Sequence, residues 1–595
     1  MSFLVYKTNA TGLDTLLRLT GRCGKSIFTG FLSSGLIRMI LEHNMNDYEE
    51  TRKNFTWDVP EYYNFSFDEV DKHAKLNPYK TALISIDDAG KNIQRHSFLD
   101  LKELSNRFAN GLLDMGVKKG DRAMILVHRI PEWYVAVLGM IKLGVIPIPT
   151  PNLSVPKDIR YRVKKSEACI IVTDGENYGK VDQVRDDLPS LTNFILVGGN
   201  KNDWTYYEGM MEAASPELDR DLLEKTKSSD PMMIYFTSGT TSLPKMVLHS
   251  HAYPIGHTVT ARFVQDLRQE DTIWAIADNG WAKTTWGKLF GQWIVGTTVV
   301  QQNITGRFSA EKSLQILQDH NISVFCAPPT IYKMMINLDM DKYDLKSLRH
   351  TLSAGEPLNP DVIDKWESYT GLRIYDYYGQ TECVALVANY PCMKVKAGSM
   401  GKPTPGHVVE VVDDEGDMLP IGGEGHIAVK VEPERPPGIF LGYWRDKEKT
   451  SEAFHGDWYY TGDKAYKDED GYYWFVGRAD DVIKASGYRI GPFEVESALQ
   501  EHPAVMENAV IGAPDEIRGK IVKAYVILNK DYEPTEKLER KLQEHVKKVT
   551  APYKYPRHIE FVEELPKTIS GKIRRIELRD RAEKEFLKEH RQLPY

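Results

Sequence analysis

The sequence is short of three things: long apolar runs, paired cysteines and excess positive charge. Its most apolar stretch, Met124 to Pro149, is interrupted by His128, Arg129, Glu132 and Lys142, so it reads as a buried helix and strand and not as a membrane span. The five cysteines, Cys23, Cys169, Cys326, Cys383 and Cys392, are odd in number and scattered, with no C-x-x-C pair. That spacing suggests neither a disulfide framework nor a zinc ribbon, and it points to a reducing compartment, with the cytoplasm as the first expectation. Lys and Arg total 76 against 84 Asp and Glu, a formal net charge of −8. A mildly acidic chain is a poor general binder of nucleic acid, although a local basic pocket for a small anion remains possible. Glycine (44) and proline (31) are at ordinary levels for 595 residues, which excludes collagen-like and low-complexity chains. No internal repeat occurs. The G-x-x-x-x-G-K-[ST] loop of P-loop kinases is also missing: GRCGKS at 21–26 comes near it, but its first glycine would fall on Leu19.

What is present is a chain that is 42% apolar and 27% charged over 595 residues, enough for a large core and at least two domains. Residues 1–41 stand apart. They carry Lys7, Arg18, Arg22, Lys25 and Arg38 against one acid, Asp14. The plain reading is a poorly ordered extension, and the other is an organelle transit peptide, which has this composition. From Phe65 onward, strand-like runs such as TALISI (81–86), AMILV (123–127), VIPIP (145–149) and CIIVTD (169–174) alternate with amphipathic stretches such as 99–115. This rhythm predicts an α/β fold with largely parallel sheets. After Gly398, VVEVVD (408–413), GHIAVKV (425–431) and YYWFVG (472–477) predict a smaller β-rich subdomain. From Asp480 a further α+β unit is expected, with helices over 492–501 and from Thr535 to Val549. The expected division is an extension over 1–45, a large domain over 46–479 and a small domain over 480–595.

Four short segments carry chemistry. TSGTTSLPK (237–245) follows the strand MMIYF and offers backbone N–H groups, hydroxyls and Lys245, a combination suited to a polyphosphate. YDYYGQTE (375–382) offers aromatic faces for a purine, Thr381 for a phosphate and Glu382 for Mg²⁺. YYTGD (459–463) presents Asp463, whose carboxylate can accept both hydroxyls of a ribose, and Arg478 adds a donor. PKTISGKIRR (566–575) places Lys572 where it can reach a phosphate. Taken singly, each has a plainer reading: a surface loop, core tyrosines at a strand end, a hairpin salt bridge, a solvated basic tail.

In this order and spacing the four segments resemble the adenylate-forming superfamily of acyl-CoA synthetases, luciferases and adenylation domains, over roughly residues 55 to 580. Within it, YFTSGTT…PKM (235–246), ADNGWAKTTWGKLFGQW (277–293), SAGEPLNP (353–360) and the block 477–496 look most like medium-chain acyl-CoA synthetases. The resemblance implies a large domain of α/β subdomains with a β-rich subdomain and a small mobile C-terminal domain. It implies an ATP-, Mg²⁺- and CoA-dependent ligase that makes a CoA thioester through an acyl-adenylate, releasing AMP and pyrophosphate. Thr237, Ser238, Gly239, Thr240, Thr241 and Lys245 match the loop over the β- and γ-phosphates, although the usual glycine is Ser242 here. Gly355, Glu356, Pro357, Asp376, Tyr377 and Tyr378 match the adenine pocket, Thr381 the α-phosphate contact, Glu382 the Mg²⁺ ligand, and Asp463 and Arg478 the ribose contacts. Asp480 matches the hinge, Gly487, Tyr488 and Arg489 the CoA-binding segment, and Lys572 the catalytic lysine. Trp281, Trp286 and Gly379 are the acyl-pocket candidates; acetate-specific relatives carry Trp at the position of Gly379. Asp is absent from 279–293, where Lys283 stands, and this argues against amino acid substrates. The acid is expected to be medium-chain or branched. An aryl acid, acetate or propionate, and a non-catalytic nucleotide-binding role are the alternatives. A monomer or dimer without nucleic-acid partners is expected.

Overall fold

A computed structural model describes residues 43–590 apart from 238–243, 307, 356, 357, 359, 486, 487, 517 and 569–571, and apart from the side chains of Lys484, Tyr488, Arg489, Glu589 and His590. The candidates Ser238, Gly239, Thr240, Thr241, Glu356, Pro357 and Gly487, the side chains of Tyr488 and Arg489, and the extension with its GRCGKS segment therefore lie outside the described residues.

The alternating apolar runs form two large sheets. Six strands of a nine-stranded sheet run parallel, in the order Ile374–Gly379, His350–Ala354, Val324–Ala327, Thr272–Ala275, Thr298–Gln302 and Thr81–Ile86. Antiparallel strands close both edges: Ile93–Ser97 on one side, Ala385–Ala388 and Lys402–Pro403 on the other. A second, five-stranded sheet is wholly parallel: Ile146–Pro149, Arg122–Leu126, Ile170–Asp174, Asn193–Val197 and Thr205–Tyr206. Parallel strands covered on both faces read as continuous apolar runs, and Ile170–Asp174 is buried throughout. Helices cover them for local reasons. Phe98–Asp114 begins at a capping box between Ser97 and Asp100 and buries Leu101, Phe108 and Leu112, while Leu113, at the edge of the apolar stripe, stays exposed. In the stretch 124–149, Pro131–Leu143 is a buried helix and Ile146–Pro149 a buried strand. Lys142 is accommodated there because its ammonium donates to Asp71 Oδ1 at 2.9 Å and Asn106 Oδ1 at 2.6 Å.

Four smaller sheets are described besides, one of them the two-stranded pair Ile483–Ala485 and Tyr488–Ile490. Pro231–Phe236, Met246–Ser250 and Gly442–Tyr443 form a short antiparallel sheet. The β-rich part is a five-stranded antiparallel sheet of Val409–Val412, Gly425–Lys430, Phe454–His455, Trp458–Lys467 and Tyr473–Arg478. Beyond it, Val505–Asp515, Gly519–Leu528 and His558–Phe561 form a third sheet, packed by Pro492–Gln500, Glu536–Val549 and Arg575–His590. Thr535 caps the second of these helices, its hydroxyl accepting from Leu538 N. Two apolar clusters draw only on residues from Ile483 onward, whereas the other four stop at Tyr473 with Phe475 packed against them. At the other end the fold begins earlier than residue 46: Asn44 N donates to Asp266 Oδ1 at 2.8 Å, and Met45 is buried in the main core.

Candidate active site

Open parallel sheets place ligands outside the carboxyl ends of their strands. The strands His350–Ala354 and Ile374–Gly379 lie side by side in parallel, with Ser353 opposite Asp376 and Ala354 opposite Tyr377. Their carboxyl ends therefore bring Gly355 and the segment Gly379–Glu382 to one edge. Gly355 turns the chain with φ +101°, a conformation that a side chain strongly disfavours. Lys283 donates to Ala354 O at 2.9 Å, directly beside that turn. Asp376 lies in the same strand, and burial pushes its carboxyl up to about 8, only partly offset by the Lys283 charge. Tyr377 is buried, 3.5 Å from Cys326 Sγ through its hydroxyl, and its ring packs near Trp286.

Asp463 is the most heavily engaged of the expected residues. It is buried, and its Oδ2 accepts from the Tyr378 hydroxyl at 2.6 Å and from Gln380 Nε2. Its Oδ1 accepts from Arg478 Nη1 at 3.1 Å, across the antiparallel pair that sets Asp463 opposite Arg478. Gln380 in turn is held by the Tyr459 hydroxyl at 2.9 Å and donates to Thr461 O. Thus Tyr378, expected in the adenine pocket, makes its hydrogen bond to Asp463. The network ties the β-rich sheet to the edge of the large parallel sheet.

Thr381 and Glu382 are positioned from a third direction. His249, in the strand Met246–Ser250, donates from Nε2 to Thr381 O at 2.8 Å. Its ring is buried and stacked on Tyr253, and burial holds its pKa down at about 3, so the imidazole is neutral. Glu382 Oε1 accepts from the Tyr443 hydroxyl at 2.9 Å, and Lys245 Nζ lies 4.7 Å from the centre of the Tyr443 ring. Thr237 and Lys245 close on each other, with Thr237 N donating to Lys245 O at 3.0 Å and Lys245 N to Thr237 Oγ1 at 3.1 Å. Lys245, Tyr443 and Glu382 thus form a row that joins the foot of the 237–245 segment to the Thr381–Glu382 corner. A single carboxylate here suits a Mg²⁺ ion, which takes few protein ligands and shares the rest of its shell with phosphate oxygens and water.

The acyl candidates are brought into direct contact. A Cβ on Gly379 would stand 2.3 Å from Trp286 Cη2 and 2.4 Å from Val384 O, so the space above Gly379 is already filled by the Trp286 indole. Trp286 is 4% exposed, whereas Trp281 is partly exposed at the start of the same segment. Asp480 and Lys572 are exposed. Lys572 is held through its backbone, giving a carbonyl to Thr568 N at 2.7 Å and an N–H to Thr568 Oγ1 at 3.1 Å. Its side chain shares no hydrogen bond or ion pair with Thr381 or Glu382. Gln380 sits inside YDYYGQTE and was within reach of a sequence reading. Tyr443 and His249 were not, because their partners lie 61 and 132 residues away.

The comparisons with known proteins bear on this geometry. Residues 70–444 match the family model described as AMP-binding enzyme, and residues 494–572 match the AMP-binding enzyme C-terminal domain. An acyl-coenzyme A synthetase, ACSM3, mitochondrial, of Pongo abelii is 45% identical over 552 residues, covering 91% of this chain and 93% of its own. The human ACSM4, mitochondrial, is 44% identical over 533 residues, covering 88% and 91%. Among solved structures, the anthranilate CoA ligase AuaEII in complex with anthranoyl-AMP superposes with a TM-score of 0.81 at 33% identity, covering 88% of this chain and 98% of that one. A benzoate CoA ligase from Burkholderia xenovorans gives 0.76 at 29% identity, covering 87% and 100%. The chain belongs to the AMP-binding enzyme family. Within it, this is an AMP-forming acyl-CoA ligase that takes a carboxylic acid, ATP and CoA, with Mg²⁺. Among the described residues no helix is long and apolar enough to cross a membrane.

Proposed function

We propose that the acid is medium-chain or branched, and that it is activated at the corner formed by Gly379, Thr381, Glu382 and Asp463. What supports this is the likeness, at 44–45% identity over most of both chains, to the ACSM acyl-coenzyme A synthetases; Trp286, seated on Gly379, fills the space above that glycine and would form the apolar end of the pocket. Asp463, fixed by Tyr378, Gln380 and Arg478, keeps one lone pair on Oδ1 for a ribose hydroxyl, and the bonds it already accepts would have to be shared for a second. Thr381, whose carbonyl is held by neutral His249, is positioned to contact the α-phosphate. Mg²⁺ bound at Glu382 would offset phosphate charge. Lys245 and Lys572 supply positive charge to the departing pyrophosphate and the attacking carboxylate.

The chemistry follows from leaving groups. A carboxylate oxygen attacks the α-phosphorus, the bond to the β-phosphate oxygen breaks, and pyrophosphate leaves. CoA thiolate then attacks the acyl carbon, the carbon–oxygen bond to AMP breaks, and the thiol proton goes to solvent. Both steps bring anions together, so positioning and fixed charge dominate. We read Asp480 as the pivot, with residues 480–595 presenting Lys572 for the first step and the Gly487–Arg489 segment for the second. An aryl acid is the second reading, supported by the likeness to the anthranilate and benzoate ligases and by the aromatic face of Trp286. We place the enzyme in the mitochondrial matrix and not in the cytoplasm; the support is the names of its relatives and the basic composition of residues 1–41. One experiment tests the substrate reading: pyrophosphate release with acetate, C4 to C12 linear and branched acids, and benzoate, each with and without CoA. A preference for acetate would overturn it.

A further inference from the structure

The loop that carries Lys572 has a base made of two elements. Lys567 and Ile573 form an antiparallel bridge, and Arg574 N donates to Pro566 O at 2.8 Å. Immediately beyond, Arg575 opens the helix Arg575–His590. Its guanidinium donates to Glu496 from Nε at 3.1 Å and from Nη2 to both carboxylate oxygens at 2.7 Å, and its Nη1 lies 3.8 Å from Asp481 Oδ2. Arg579, one turn further, donates to Asp481 Oδ1. Asp481 is the residue after the hinge candidate Asp480, and its N–H is turned back onto Arg478 O at 2.9 Å. Glu496 also accepts from Val510 N at 2.8 Å, and its carbonyl holds Asn508 Nδ2 at 3.1 Å. Four pieces of backbone therefore converge on one carboxylate–guanidinium cluster: the residue after the hinge, the helix Pro492–Gln500, the strand Val505–Asp515 and the base of the Lys572 loop.

The cluster is too deep to be an ordinary surface pairing. Glu496 is 9% exposed, and its carboxylate is desolvated. A buried carboxylate needs its fork-shaped partner, and a bidentate guanidinium fixes direction as well as charge. Among the described residues the cluster meets the nucleotide corner at a backbone hydrogen bond, Asp481 N to Arg478 O, and none of its side chains bonds to Thr381, Glu382 or Asp463, so its role lies in placing something else. We propose that Glu496 is a positioning residue: through Arg575 it locks the base of the Lys572 loop to the segment after Asp480, so that Lys572 turns with the hinge as one lever. This rests on the reading of Lys572 as the residue that serves adenylation.

The test compares the two half-reactions in the full chain: acid-dependent pyrophosphate release from ATP, and conversion of preformed acyl-adenylate to thioester by CoA. Glu496→Gln, which keeps the volume and loses the charge, is expected to lower the first at least tenfold and to leave the second within twofold. Arg575→Lys, which keeps the charge and loses the fork, is expected to behave in the same direction and serves if Glu496→Gln fails to fold. In a Lys572→Ala background, Glu496→Gln is expected to cost adenylation nothing further, because the group it positions is gone. Equal losses in both half-reactions, or a full additional loss in the Lys572→Ala background, would overturn the proposal and leave the cluster a general stabiliser. If Lys572→Ala itself fails to separate the half-reactions, the reading of Lys572 falls and this inference falls with it. If Lys572→Ala separates them and Glu496→Gln does not, only the positioning role is lost.

Discussion

Trp286 is expected to set the length of acid that the enzyme accepts, and Trp286→Ala is the perturbation that shows it. The indole is 4% exposed, with its Cη2 end pressed onto Gly379 and its face near the Tyr377 ring. Its backbone carbonyl, which accepts from Gln265 Nε2 at 3.0 Å and Gln292 Nε2 at 2.8 Å, is untouched by the substitution, so the local backbone stays anchored. Removing a buried Trp side chain costs about 3–5 kcal/mol of stability, and that cost is common to every substrate. The specificity term is separate. The space released admits about three further methylenes, each worth about 0.8 kcal/mol, so a longer acid gains about 2.4 kcal/mol that a C4 acid does not. That corresponds to a shift of roughly 60-fold in the ratio of kcat/KM for C8 over C4. The assay is pyrophosphate release at a temperature well below the variant's midpoint, with the ratio as the readout. Gly379→Ala provides the contrast. Its Cβ would meet Val384 O, a backbone atom, as well as Trp286, so it is expected to impair all acids together, even when combined with Trp286→Ala. A C8/C4 ratio unchanged in folded Trp286→Ala would show that the acyl tail does not end at this indole.

Three other outcomes are expected. Lys572→Ala should cut acid-dependent pyrophosphate release by about two to three orders of magnitude, as loss of one well-placed charge does, while preformed acyl-adenylate still reacts with CoA. Gly487→Leu should leave adenylate formation nearly intact and suppress thioester formation; survival of both steps would place the thiol's path elsewhere. Stability should fall steeply with acid. His249 is held at about 3, and His251, His350 and His407 at about 4, all chiefly by burial. Each binds its proton near 6.5 once unfolded, so the neutral fold is fully favoured above that value and loses ground as pH falls from about 6.5 towards 4. Four such groups give a slope approaching about 5 kcal/mol per pH unit in that window. A melting temperature that is flat from pH 7 to pH 5 would show that these rings are already protonated or solvated in the fold.

The parts legible in the sequence are those in which cause and effect lie close together along the chain. The apolar runs 81–86 and 170–174 and the cap at Thr535 are decided within a few residues, and the structure has strands and a helix there. The β-rich character after Gly398 was legible for the same reason. The motifs were legible as chemistry but not as geometry. YDYYGQTE and YYTGD could each be read alone, yet their joining by Tyr378, Gln380 and Asp463 spans 83 to 85 residues and depends on the sheet order. Trp286 and Gly379 were both singled out as acyl-pocket candidates, but nothing in the sequence said that they touch. Their contact follows from the helix Lys283–Lys288 packing against the parallel sheet, which no local pattern specifies.

The same distinction separates the candidate groups, which the sequence offered, from the residues that hold them, which it did not. A phosphate-binding lysine or a ribose-binding carboxylate belongs to a short segment whose residue types are dictated by the ligand. His249, Tyr443 and Glu496 are dictated by what they hold: a carbonyl, a carboxylate and a guanidinium that reach them from 132, 61 and 79 residues away. Each is a polar group taken largely out of water, and in each the partner atom lies within 3 Å. Burial makes such a pair costly to break, since the surviving partner is left unsatisfied. The corner at Thr381 and Glu382 is thus held in place by His249 and Tyr443. Among the described residues Lys572 is exposed, and its side chain shares no hydrogen bond or ion pair with that corner. Under the proposed reading, the corner stays in place while Lys572 comes and goes, which a reaction in two unlike steps requires.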